Sequence, residues 1–152
     1  MMEIGWREWV ALPELNVPGI KAKIDTGARS SALHTAEYEY VEDDFGQTWV
    51  HFVLHPLKKS KNCLRHGKAK VIAFREVKDS GGHIEKRPFI ETRVNLAGFE
   101  WRIELSLTNR EQMRFRMLIG RKGLEDHFLV NPAKSYLVGK SLREHYSKEE
   151  KG

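Results

Sequence analysis

One aspartate stands where a carboxylate could do chemistry. Ile20, Ala22 and Ile24 alternate with Lys21 and Lys23, a period of two that runs straight into Asp25. Thr26, Gly27 and Ala28 follow at once. An acid at the end of such a strand projects from a rigid edge. Gly27 permits a sharp turn that a Cβ would obstruct, the Thr26 hydroxyl is placed to lock that turn, and Ala28 leaves space beside the carboxylate. Asp25, Thr26 and Gly27 are therefore the candidate catalytic residues. The same triplet also suits an ordinary strand-ending turn, so by itself it does not separate catalysis from capping.

A second segment adds weight. Met117-Leu118-Ile119-Gly120-Arg121 reads as a buried strand ending in glycine, and Lys122-Gly123-Leu124-Glu125-Asp126 as the short helix after it. With both segments in this order, the chain resembles the retropepsin-like aspartic proteases. In that fold an Asp-Thr-Gly-Ala turn is threaded beneath two apolar residues and a glycine, followed by an arginine and the C-terminal helix. The resemblance spans residues 20–138, with a longer stretch between the motifs than compact viral members have. More closely, the chain is similar to a bacterial family labelled "ATP-dependent zinc protease", associated with RimK-type amino-acid ligases.

The resemblance implies an all-β, closed retropepsin-like barrel with one short C-terminal helix. It also implies a homodimer, each subunit bringing one Asp25 to a dyad on the two-fold axis. Ala28, Arg29, Gly120 and Arg121 are the implied substrate-binding positions. A peptide or protein tail is the implied substrate, an acidic one being attractive given the link to an ATP-grasp amino-acid ligase. One departure stands out. Many viral retropepsins carry an acid two positions after the glycine, paired with the arginine of the second motif. Here that position is Arg29, so Arg121 is expected to find another carboxylate, such as Glu125, Asp126 or one across the dimer, unless Arg29 and Arg121 together frame a pocket for acidic groups. Asp79-Ser80-Gly81 is the other triplet of this kind, but it follows Val77-Lys78 and precedes Gly82-His83, which reads as a hairpin tip.

Neither zinc nor ATP has residue-level support. The chain contains no His-Glu-x-x-His, no Cys-x-x-Cys and no Gly-x-x-x-x-Gly-Lys-Ser/Thr. His51 and His55 would lie ~13 Å apart on a strand, too far to share an ion. Cys63 and His66 alone make a poor site. No metal and no cofactor are therefore expected. The stretch 55–66 is strongly basic; it is either a flap over an anionic peptide, a nucleic-acid contact or a solvated loop, and the Gly81-Gly82 hairpin competes as the flap.

The elements needed to position these residues are mostly strands. Segments 49–54, 69–77, 84–94, 99–107 and 115–119 are rich in β-branched and aromatic residues, and 122–127 is the one short helix. Residues 1–140 read as one barrel domain and 141–152 as a polar tail, a frayed helix or disordered. Trp6, Trp9, Trp49 and Trp101 are read as core and dimer-interface residues. At 152 residues, 40% hydrophobic and 31% charged, the chain suits one soluble domain. No apolar run approaches the ~20 residues of a membrane helix, and a single cysteine fits a reducing cytoplasm. The net charge of +5 favours anionic partners. The leading reading is a dimeric aspartic peptidase or amide hydrolase. A barrel that binds acidic peptides without cleaving them is the alternative, and nucleic-acid binding ranks last because no recognisable motif accompanies the charge.

Overall fold

A computed structural model describes residues 1–57, 63–79, 81–109 and 114–147. In chain order its strands are β1 (Met2–Gly5), β2 (Arg7–Leu12), β3 (Val17–Asp25), β4 (Ser31–His34), β5 (Glu37–Glu42) and β6 (Thr48–Leu54). They continue as β7 (Arg65–Lys70), β8 (Ala73–Lys78), β9 (Ile84–Leu96), β10 (Phe99–Thr108), β11 (Met117–Gly120) and β12 (Phe128–Asn131), with one helical turn, α1 (Arg121–Leu124), before the last. Six of them close a barrel. β10, β4, β11, β3, β2 and β9 are neighbours in that order, and β9 pairs back onto β10. Closure removes the free edges that an open sheet of this size would expose. β8 extends the sheet beyond β9, β5, β6 and β7 form a separate meander, and β1 pairs in parallel with β12.

The period-two pattern explains why β3 sits where it does. Ile20, Ala22 and Ile24 are buried, and Lys21 and Lys23 between them are exposed. They pack with Val10 and Leu12 of β2, Leu33 of β4, Ile90 and Val94 of β9, Leu105 and Leu107 of β10 and Ile119 of β11 in one apolar core, whose removal from water is the main favourable term. The meander closes over that core with Val50, Phe52 and Leu54. Gly67 of β7 makes room for Phe52, because a Cβ there would lie 2.5 Å from the ring.

The placement of β11 decides the geometry of the candidate site. It inserts between β3 and β4, parallel to the first (Ile119 beside Ile24, Gly120 beside Asp25) and antiparallel to the second (Met117 beside Leu33, Leu118 beside Ala32). The residues joining β3 to β4 must therefore cross over the end of β11.

Several elements differ from the sequence reading. The run 69–77 is two strands. Val71 N–H bonds to Thr48 and Ile72 N–H to Phe89, so the chain leaves the edge of β6 there and joins β9. The strand expected over 115–119 starts at Met117. The helix expected over 122–127 is a single turn, ended where Asp126 takes a left-handed φ of 66°. The hairpin reading of Asp79-Ser80-Gly81 agrees with the structure, in which Gly81 and His83 N–H groups donate to Asp79 Oδ1 at 2.9 Å; Ser80 lies outside the described residues. The polar tail is corrected most. Arg143–Tyr146 form a 3₁₀ turn, and Tyr146 is fully buried with its hydroxyl bonded to both backbone groups of Gly19. Residues 148–152 lie outside the described residues. Trp9 and Trp101 are buried, as read, whereas Trp6 and Trp49 are half-buried. Among the described residues no helix is long and apolar enough to cross a membrane.

Candidate active site

The turn after β3 is shaped by the aspartate itself. Gly27 N–H donates to Asp25 Oδ1 at 3.0 Å, and Ala28 N–H donates to the Asp25 carbonyl at 3.2 Å. The other carboxylate oxygen lies 3.8 Å from Lys23 Nζ. The side chains are 28% and 46% exposed, so water screens that pair and its contribution is small.

Residues 26–30 are pinned from the second segment. Arg121 N–H donates to the Ala28 carbonyl at 2.7 Å and Lys122 N–H to the Arg29 carbonyl at 3.0 Å. Arg121 Nη1 donates to the Thr26 carbonyl at 3.1 Å, and Gly120 N–H donates to Ser31 Oγ at 3.0 Å. Gly120 must be glycine for this approach: a Cβ would lie 2.3 Å from the Ser30 carbonyl oxygen and 2.9 Å from that of Ala28. Within the chain Arg121 does not pair with Glu125 or Asp126, two of the partners expected for it. Among the described residues it holds a backbone carbonyl of the aspartate loop, which a planar guanidinium satisfies without a counter-charge. Arg29 is exposed and makes no ion pair among the described residues.

Asp25 opens onto a groove of about 1530 Å³. Asp25, Gly27, Ala28 and Arg29 line one part of it, and Arg75, Lys78 and Arg87 from the β8–β9 hairpin line another. Thr26, Gly120 and Arg121 are not on its wall; the last two support the loop from behind. Basic side chains outnumber acidic ones around the groove, with Lys23, Arg102, Arg114 and Lys122 among them. Arg102 donates hydrogen bonds to the carboxylates of Glu91 and Glu14, which raise its pKa. Trp6 and Phe115 meet edge to face at 5.8 Å on the same lining. The sequence reading missed Lys23, Arg75 and Arg87 as groove residues. Lys23 was legible as the outward position next to Asp25, whereas nothing local marks Arg75 or Arg87, which reach the groove only because β8 and β9 fold over it.

Of the two flap candidates, the β8–β9 hairpin borders the groove. The basic stretch's Lys58, Lys59, Ser60, Lys61 and Asn62 lie outside the described residues. Its neighbours Leu57 and Cys63 are buried with Trp9 and Tyr146 and are absent from the groove wall.

Two motifs locked together by an apolar strand, with one aspartate facing a groove, have a counterpart among known proteins. Residues 3–141 match the family model described as RimB-like, the retropepsin-like aspartic endopeptidase RimB. The chain belongs to that family. This RimB-like chain is 43% identical to a probable alpha-L-glutamate ligase of Shewanella halifaxensis over 136 residues, which cover 90% of this chain and 30% of the relative. It is 39% identical to a protein of the same description from Desulfotalea psychrophila over 151 residues, 97% of this chain and 32% of the relative. The chain thus spans about a third of the length of these curated relatives. Among solved structures it is similar to the Legionella pneumophila protein Lpg0085, of unknown function, with a TM-score of 0.75, 25% identity, and 91% and 98% of the two chains covered.

The zinc in the label of the similar bacterial family finds no matching donor set among the described residues of this RimB-like chain. Cys63 is enclosed by Trp9, Leu57 and Tyr146, His66 lies exposed on β7, and among the described residues no group of three or more His, Cys, Asp or Glu side chains converges to hold a metal ion.

Proposed function

We propose that this RimB-like chain is one subunit of a dimeric aspartic peptidase that hydrolyses acidic peptides, with glutamate-extended protein tails as the leading substrate class. The observation that carries the reading is Asp25 itself, at the end of β3 on the wall of a groove lined by more basic than acidic side chains, in a loop pinned by Gly120 and Arg121.

Two Asp25 carboxylates brought together across a two-fold axis cannot both ionise cheaply, so they share one proton. The ionised member takes a proton from a water, whose oxygen attacks the scissile carbonyl carbon, while the protonated member donates to the carbonyl oxygen. Collapse of the tetrahedral intermediate breaks the C–N bond, and the amine leaves with a proton returned by the dyad. Thr26, exposed on the same loop, would knit the two subunits' loops together. Gly27 offers backbone to the peptide, and Ala28 and Arg29 contribute subsite wall. The ligase descriptions of the longer relatives support a partnership with an ATP-grasp glutamate ligase, which would supply the substrate that this chain trims.

Hydrolysis of a synthetic oligoglutamate peptide tests the reading. Asp25→Asn should lower the rate by about 10²- to 10⁴-fold or more and leave the circular dichroism spectrum unchanged. Turnover that survives the substitution would end the dyad mechanism. Saturable binding by the wild type without any turnover would select a peptide-binding barrel instead.

A further inference from the structure

Arg87 is a cation buried to 5% exposure in a barrel wall, a position that costs stability unless every polar contact is made. Its Nε donates to Glu85 Oε2 at 2.9 Å, and Thr108 Oγ1, fully buried, donates to the same carboxylate oxygen at 3.1 Å. Its Nη1 donates to Ser106 Oγ at 3.3 Å. Ser106, also fully buried, passes the line on by donating to the Ser31 carbonyl at 3.2 Å. Ser31 is 2% exposed, and its Oγ accepts the Gly120 N–H at 3.0 Å. Gly120 lies in register with Asp25. The contacts therefore run from the base of the β8–β9 hairpin, across β10, to the residue that ends the aspartate loop.

Apolar side chains at positions 87 and 106 would fill this wall with no polar groups to satisfy. A buried arginine and two buried serines, each bonded to the next, instead specify one arrangement of Ser31 relative to Gly120. We propose that Arg87 is a positioning residue for Asp25, acting through Ser106 and Ser31, an inference that rests on the peptidase reading for its kinetic consequences but not for its structural ones. Dyad chemistry needs the carboxylate held to within about 0.5 Å, and the loop that carries Asp25 has its far end anchored by this line.

Two measurements on the full-length protein test it: oligoglutamate hydrolysis, and amide hydrogen exchange by NMR. Arg87→Met and Ser106→Ala should each lower kcat about tenfold, with KM changed less than about twofold, because misplacement of a reacting group costs rate rather than binding. The double variant should be no worse than Arg87→Met, and Arg87→Lys should recover most of the rate. Exchange at the Gly120 amide should quicken about tenfold or more in Arg87→Met and Ser106→Ala, with that at Val50 in β6 unchanged, since only the local opening is eased. A rise in KM at unchanged kcat would make Arg87 a substrate contact and overturn the proposal, as would Gly120 exchange equal to wild type. If wild type cleaves no peptide yet Gly120 exchange responds as stated, the positioning role stands and the peptidase reading falls. Should Arg87→Met fail to fold, Ser106→Ala and Arg87→Lys carry both measurements.

Discussion

Gly120 is the residue at which the two motifs become one structure. Its Cα faces the Ser30 carbonyl so closely that a methyl group would lie 2.3 Å from the oxygen. That neighbour is backbone and cannot swing aside. Gly120→Ala should therefore destabilise the fold by about 1–3 kcal/mol, the usual cost of overpacking, seen as a lower urea midpoint. An unshifted midpoint would mean that the loop moves freely, and the pinning of Asp25 would lose its basis. Arg29 and Arg121 divide their work by position: the first faces the groove, and the second holds the Thr26 carbonyl.

Among the elements, the turn Arg143–Tyr146 acts as a strap that ties the end of the described chain to β3. The Tyr146 hydroxyl accepts the Gly19 N–H at 3.1 Å and donates to the Gly19 carbonyl. Gly19 leaves no room for a side chain, because Leu142 packs directly on it, 2.4 Å from where its Cβ would be. Tyr146→Phe strands those buried backbone groups and should cost about 1–3 kcal/mol, measured by chemical denaturation. Gly19 lies on β3, the strand that ends in Asp25, so the loss should be felt as faster amide exchange along β3 before it reaches the β5–β7 meander. Equal loosening of both regions would show that the strap stabilises the whole fold without local preference.

At the scale of the whole molecule, a single chain holds one Asp25 and a dyad needs two. Specific activity should fall on dilution, and a several-fold excess of Asp25→Asn protein should poison the wild type by forming mixed dimers. Activity that is independent of concentration and of added variant would refute a shared dyad. Acid sensitivity is a second molecular property. The hydrogen bond from Arg102 holds Glu14 below its ordinary pKa, and the Trp49 indole N–H does the same for Asp43. A carboxylate depressed in the folded state contributes stability that is present above its unfolded pKa and is lost as pH falls through the folded one. The urea midpoint should therefore drop as pH falls below the ordinary carboxylate range, only modestly because both groups are exposed. Asp43→Asn should flatten part of that slope, and an unchanged slope would assign it to other carboxylates.

The sequence by itself determined the class of fold and the order of the two motifs. Alternation in β3 marks which side chains face the core, and Asp-Thr-Gly-Ala with Leu-Ile-Gly-Arg carries a family pattern, because such signals depend only on near neighbours along the chain. The strands read over 84–94 and 99–107 were legible for the same reason, and they run to Leu96 and Thr108. Their partners were not. β2 and β4 lack clean alternation, and the break at Val71-Ile72 arises because the chain changes sheets, which no local preference records. Only the tertiary structure decided that Arg121 grips a carbonyl, that Tyr146 is a buried strap, and that Arg87 is tied to the aspartate loop through Ser106 and Ser31. Each of those facts joins residues far apart in sequence, and the closed barrel is what brings them within hydrogen-bond reach.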